Sequence, residues 1–102
     1  MVGNLAYEYI RAAVNKYPNL ELVPHQGFNH RIRKQGHVGS VWIIPRGKGV
    51  SITANGQAAP RLYREMEKLL GNHHRQDAKG YRYWQADNPR DVEAIISSWS
   101  KI

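Results

Sequence analysis

Two basic clusters stand out in the first half of the chain, His30-Arg-Ile-Arg-Lys34 and Arg46-Gly-Lys-Gly49. In an extended strand successive side chains point to opposite faces, so Arg31 and Arg33 share one side while Phe28, His30 and Ile32 take the other. Two arginines one pleat apart are able to follow successive phosphates, and the glycines of the second cluster allow close approach to another backbone. Lys34, Arg46 and Lys48 extend the same chemistry, and Arg61 and Arg64 add to it further along. The plainer alternative is a solvent-facing hairpin with basic decoration.

The histidines suggest a second chemistry. His30 and His37 could serve as acid and base in metal-free RNA cleavage, with arginine stabilising the pentacoordinate phosphorane; otherwise they are auxiliary phosphate contacts or plain surface. His73-His74 with Asp77 could offer two nitrogens and a carboxylate to a metal, but adjacent loop histidines rarely reach one ion and no further ligand has recognisable spacing. No metal and no cofactor is expected. The aromatics are a third candidate: Tyr81, Tyr83 and Trp84 surround Arg82, and Trp42 and Phe28 lie upstream. Exposed aromatics beside arginine stack bases. In a chain with a single Phe, however, Trp and Tyr must also build the core, and Trp42, Trp84 and Trp99 are expected to be mostly buried.

Several hydrolytic devices are missing. Arg46-Gly-Lys-Gly49 lacks the spacing and the Ser/Thr of a phosphate-binding loop, no strand-borne carboxylate pair precedes a lysine, and there is no Gly-x-Ser-x-Gly elbow. No catalytic residue is assigned and no enzyme is expected. Cysteine is absent, which excludes disulfides, thiolate zinc sites, iron–sulfur clusters and cysteine nucleophiles.

These residues must be held by a small scaffold. At 102 residues and 11.7 kDa the chain fits one compact domain, 1–102, and 41% hydrophobic with 23% charged residues is the balance of a folded protein. Asn4 caps a first helix expected over 5–17, with Ala6, Ile10, Ala13, Val14 and Tyr17 on one face, stopped before Pro18. Strands follow at Leu20–Val23, Phe28–Lys34, Val38–Ile44 and Val50–Ala54, the last closed by Asn55-Gly56. Pro60 opens a second helix with Leu62, Tyr63, Met66, Leu69 and Leu70 on one face, and Gly71 ends it. Residues 72–79 read as a polar loop, 80–86 as a strand, and Asn88-Pro89 with Asp91 starts a closing helix carrying Val92, Ile95, Ile96 and Trp99. The expectation is an α+β single domain, an antiparallel sheet of about four to five strands with three helices in the order α-β-β-β-α-β-α.

Charge then narrows the partner. The net charge is +7, and between Glu21 and Glu65 there is no acidic residue, while Arg31, Arg33, Lys34, Arg46, Lys48, Arg61 and Arg64 lie in that window with His25, His30 and His37. Charges kept only for solubility are usually mixed in sign, so the asymmetry points to a polyanion. No apolar run reaches the ~18 residues of a membrane span, and the first residues lack the basic and apolar regions of a signal peptide. A cytoplasmic location without membrane contact is expected.

The second half, with Val50-Ser-Ile-Thr-Ala54 leading into a helix ending at Leu69-Leu70, then Tyr81-Arg-Tyr-Trp84 and Pro89-Arg-Asp-Val-Glu-Ala-Ile-Ile96, resembles the YjbR-like small proteins. That family is commonly labelled DNA-binding, and the likeness covers about half the chain and rests on element order. The opening α-β-β-β-α order is also similar to double-stranded RNA-binding domains and to HicA-type RNA-cleaving toxins, in which a strand histidine is catalytic. The chain departs from both: Pro60-Arg-Leu-Tyr-Arg64 is not a lysine-rich helix start, and the residues around His30 do not match the toxin pattern.

The leading expectation is a small basic non-enzymatic protein that binds nucleic acid, DNA or RNA, single- or double-stranded, gripping phosphates through Arg31, Arg33, Lys34, Arg46, Lys48, Arg61 and Arg64. The alternative is a protein-interaction regulator or inhibitor docking on an acidic or nucleic-acid-handling partner; a third is a metal-free ribonuclease using His30 and His37. Monomer and homodimer both fit, since an edge strand is able to pair with a second copy.

Overall fold

The computed structural model describes residues 2–24 and 29–102, with side chains for 8–23 and 29–102; His25 and Phe28, and whatever they contribute, lie outside the described residues. The elements run α1 (Val2–Val14), β1 (Leu20–Pro24), β2 (His30–Lys34), β3 (Ser40–Arg46), β4 (Gly49–Ala54), α2 (Ala59–Leu70), β5 (Arg75–Gln76), β6 (Arg82–Ala86) and α3 (Pro89–Lys101). The protein is α+β: the described residues form a six-stranded antiparallel sheet in the order β1-β2-β3-β4-β6-β5 with three helices. No helix among the described residues is long and apolar enough to cross a membrane.

Helical periodicity puts Ile10, Ala13 and Val14 of α1 into the core. The helix lies nearer the N-terminus than 5–17, so Asn4 sits inside it and does not cap it. It ends at Val14 because the amides of Lys16 and Tyr17 fall back on the carbonyls of Ala13 and Val14, tightening the chain ahead of Pro18. In α2 the proline stands in the first turn as expected, Leu62 and Met66 are buried, and Gly71 closes the helix at φ 79° with its amide on the Glu67 carbonyl. Leu69, placed by its spacing on the buried stripe, falls instead at the exposed margin. The Asn88 side chain caps α3 by accepting from the Arg90 amide at 2.9 Å.

All three helices cover one face of the sheet. Ile32, Val41, Ile43, Ile52 and Trp84 point into that layer and share one core with Ile10, Leu62, Ile95 and Trp99. Both buried indoles are paired: Trp84 Nε1 donates to the Gly71 carbonyl at 2.7 Å and Trp99 Nε1 to the Ile32 carbonyl at 3.0 Å. The end of α3 is further latched to β2 by the Lys34 ammonium, which donates to the Ile102 carbonyl and sits 5.5 Å over the Trp99 ring. At its start, Glu93 accepts from Tyr9 and from Lys16, tying α3 to α1.

The sixth strand is β5, inside the stretch expected to be a polar loop. Its hairpin with β6 is organised by Asp77, which accepts from the amides of Lys79 and Tyr81 at 3.0 Å each and from the Tyr83 hydroxyl at 2.9 Å. A second local device joins the β2–β3 connection to the end of β4. Asn55 Oδ1 accepts from the Ser40 amide at 2.7 Å, and Gly39 and Gly56 meet back to back: a Cβ on Gly39 would lie 2.3 Å from the Asn55 carbonyl oxygen, at a φ of +107°. The Asn55-Gly56 pair is thus a junction between two chain segments. Gly39→Ala combines a clash with left-handed strain and should cost about 3 kcal/mol or more, whereas Gly36→Ala, at φ +79° with nothing within 4 Å of the new Cβ, should cost about 1 kcal/mol; urea unfolding of the two variants checks the difference.

Candidate nucleic-acid interface

The register fixes what stands on the face away from the helices. Val23, Arg31, Trp42 and Thr53 form one row across β1 to β4. Ile44, Ser51 and Gln85 form the next across β3, β4 and β6, and Arg75 stands opposite Tyr83 across β5 and β6. No described helix covers this face. Arg33, at one end of the β2–β3 ladder, and Arg46, opposite Gly49 at the far end of the β3–β4 ladder, complete it.

Four of its cations are arginines held in different ways. Arg31 is half-buried with its guanidinium 5.5 Å over the Trp42 ring, and Arg75 lies 4.1 Å over the Tyr83 ring. Arg46 donates to Gln85 Oε1 at 2.8 Å, and Arg33 is exposed. Carboxylates stand only at the rims of this face among the described residues: Glu21 on β1, Asp77 in the β5–β6 turn and Asp87 after β6, which accepts from Gln85 at 2.7 Å. Lys48 is exposed at the tip of the β3–β4 hairpin, whose sharp turn places Gly47 at φ 61°.

The remaining basic residues of the acid-free window do not join this face. Lys34 is only 7% exposed and points into the helical layer, on the same side of β2 as Ile32. Pleat parity explains the correction: positions 30, 32 and 34 share one side and 31 and 33 the other. Arg61 and Arg64 are exposed on α2, in the layer across the sheet from Arg31 and Arg33. His30 is buried under the helices, where desolvation lowers its pKa, and His37 lies beyond the far end of β2 with its ring edge-on to Trp99. The proposed acid and base therefore stand at opposite ends of one strand.

Of the three tryptophans expected inside, Trp84 and Trp99 are buried in the core and Trp42 is half-buried on the open face. It borders a groove of about 120 Å³ lined by Trp42, Ile44, Thr53, Asn55, Tyr81 and Tyr83. Tyr81 is 37% exposed at its rim and Tyr83 is buried. Thr53 is buried in this groove, and its Oγ1 makes no hydrogen bond to the described residues; the same holds for the buried Nε of Arg31 on the other side of Trp42. Leaving such groups unpaired is costly.

Ile44 also borders a second depression, of about 300 Å³, lined by Pro45, Arg46, Ser51, His74 and Arg75. Here Ser51 Oγ and His74 Nε2 share a hydrogen bond of 2.9 Å. Desolvation first, then the charges of Arg46, Arg75 and His73, hold the His74 imidazole below its ordinary pKa. The pair resembles two parts of a nucleophilic triad, but Asp77, the carboxylate three positions on, is engaged by Tyr81, Lys79 and Tyr83. His73 turns to the Trp84 ring, so His73, His74 and Asp77 face three different partners. Among the described residues no three His, Asp or Glu side chains gather closely enough to hold a metal.

Thr53, Ser51 and Arg75 are not among the candidate residues of the sequence, and His74 enters there only as a metal ligand. The first two were within reach of the alternation in Val50-Ser-Ile-Thr-Ala54, which sends both to the polar face; a two-residue strand carries no such signal for Arg75. Comparison with family models, curated proteins and solved structures finds no match.

The β5–β6 turn presents Arg75 and Tyr81, so its stability bears on the face. Desolvation alone would raise the Asp77 pKa, but the bonds from Tyr83, Tyr81 and Lys79 and the charge of Arg75 outweigh it and hold the group below its ordinary value. Its contribution is complete above the unfolded-state pKa of about 4 and is lost as pH falls through the lower folded-state value. NMR amide shifts of Lys79 and Tyr81 should therefore show an acid transition below about pH 4 that is absent in Asp77→Asn, with the amides around Trp42 unchanged.

Proposed function

We propose that the protein is a non-enzymatic nucleic-acid-binding module that holds phosphates on the uncovered face of its sheet. The observation that carries this reading is the collection of Arg31, Arg33, Arg46 and Arg75 on one face whose carboxylates stand at its rims. Arginine offers a planar fork of donors suited to phosphate oxygens, and four of them on a sheet form a surface for an extended polyanion rather than a pocket for one small anion. Two of the four lie over aromatic rings, which restricts the rotamer freedom each would lose on binding. The separation of His30 from His37, and a Ser51–His74 pair with no free carboxylate behind it, favour binding over cleavage.

The hairpin keeps part of the role expected from sequence, through Arg31, Arg33, Arg46 and the tip residue Lys48. Lys34 serves the fold, and Arg61 and Arg64 are left to the helical surface. A binding titration across salt tests this division. With about four phosphates neutralised, log K should fall against log salt with a slope near −2.8 on single strands and −3.6 on duplex. Arg46→Ala/Arg75→Ala should flatten the single-strand slope by about 1.4, while Arg61→Ala/Arg64→Ala should leave it unchanged. An affinity indifferent to salt would refute the reading.

A further inference from the structure

Phosphate contacts account for the arginines and leave the centre of the face unexplained. Trp42 stands between two buried polar atoms without hydrogen-bond partners among the described residues, Arg31 Nε on β2 and Thr53 Oγ1 on β4. A wholly electrostatic surface has no need of a half-exposed indole. The groove is closed on its other sides by Tyr81 and Tyr83. At about 120 Å³ it is smaller than the roughly 300–1,000 Å³ of sites that engulf a whole small molecule. It suits a single flat ring system that belongs to a ligand held elsewhere. The elsewhere is adjacent: the depression lined by Arg46, His74 and Arg75 shares Ile44 with it.

We infer that the ligand is a single-stranded nucleic acid, with one unpaired base seated in the groove against Trp42 and Tyr81 and its backbone running over Arg46 and Arg75. A base supplies a π-face for the indole, and its phosphate supplies the anion that the neighbouring arginines complement. A duplex keeps its base faces stacked inside and offers no such face. Residues two apart on one strand stand about 6.6 Å apart, so Trp42 and Arg46 on β3 lie about 13 Å apart, a span for a short run of nucleotides; on an open sheet of this kind about two or three bases stack. The basic face is a poor match for a second copy of itself.

This inference rests on the nucleic-acid reading, and one titration separates the two. Nuclease-treated protein is titrated with a labelled single-stranded oligonucleotide, the same sequence as duplex, and an abasic oligonucleotide of equal length and phosphate count, with tryptophan fluorescence recorded alongside anisotropy. Stacking of a base contributes about 1–3 kcal/mol, so the intact single strand should bind about 5- to 150-fold more tightly than the abasic one and should quench fluorescence. The quench should vanish in Trp42→Leu, because Trp84 and Trp99 are buried away from the face. Equal, salt-dependent binding of intact, duplex and abasic strands would overturn base seating while the phosphate reading stands. Absence of binding to all three would overturn both. Self-association through this face, seen by sedimentation without oligonucleotide and abolished by Trp42→Leu, would assign it to a second copy and overturn the inference as well.

Discussion

Among the described residues three helices lie against a sheet of six strands, and all three lie on the same side, so the pleat of each strand decides whether a side chain meets hydrocarbon or solvent. The core follows from this, since Ile32, Val41, Ile43, Ile52 and Trp84 are the alternate positions that face the helices. So does the opposite surface, where the intervening positions bring Arg31, Trp42 and Thr53 into register across three strands, with Ser51 in the next row. Neither set can be shifted alone. A one-residue slip of β2 would send Ile32 outward and bury Arg31, and the Trp99 indole on the Ile32 carbonyl together with Lys34 on Ile102 holds β2 against it.

Much of the scaffold was legible in the chain because it obeys simple periods. The proline-opened, glycine-closed α2, the Asn88 cap of α3 and the apolar alternation of β4 are each set by a few neighbouring residues, and the α+β arrangement follows from their order. What escaped depends on contacts distant in sequence. β5 has two residues and exists because Asp77 shapes the turn that returns the chain to β6, a hydrogen-bond pattern without hydrophobic signature. Composition, which shows only that indoles are scarce and large, assigns Trp42 to the core. Its strand neighbours Val41 and Ile43 face the helices, and parity alone puts Trp42 on the other side. Lys34 shares the parity of Ile32, and only the run of positive charge around it suggests an exposed position.

The open face also shows how folding and binding requirements are kept apart within one strand. In β2, Ile32 and Lys34 lock the sheet to α3 while Arg31 and Arg33 stand on the surface beside Trp42. The same division holds in β4, where Ile52 enters the core and Ser51 and Thr53 face the two depressions. Substitutions at odd and even positions of one strand therefore act on different properties, stability on one parity and surface chemistry on the other.

The sheet ends differently on its two sides. One border is β5, too short to template another chain; the other is β1, five residues long, bearing the exposed charge of Glu21 and, at Pro24, a position with no N–H to offer. Brevity protects one margin, and charge with a missing donor protects the other. Copies of this chain crowded together are thus discouraged from stitching their sheets into a longer ribbon, and a surface rich in arginine and aromatic rings stays available without becoming a seed for cross-β growth.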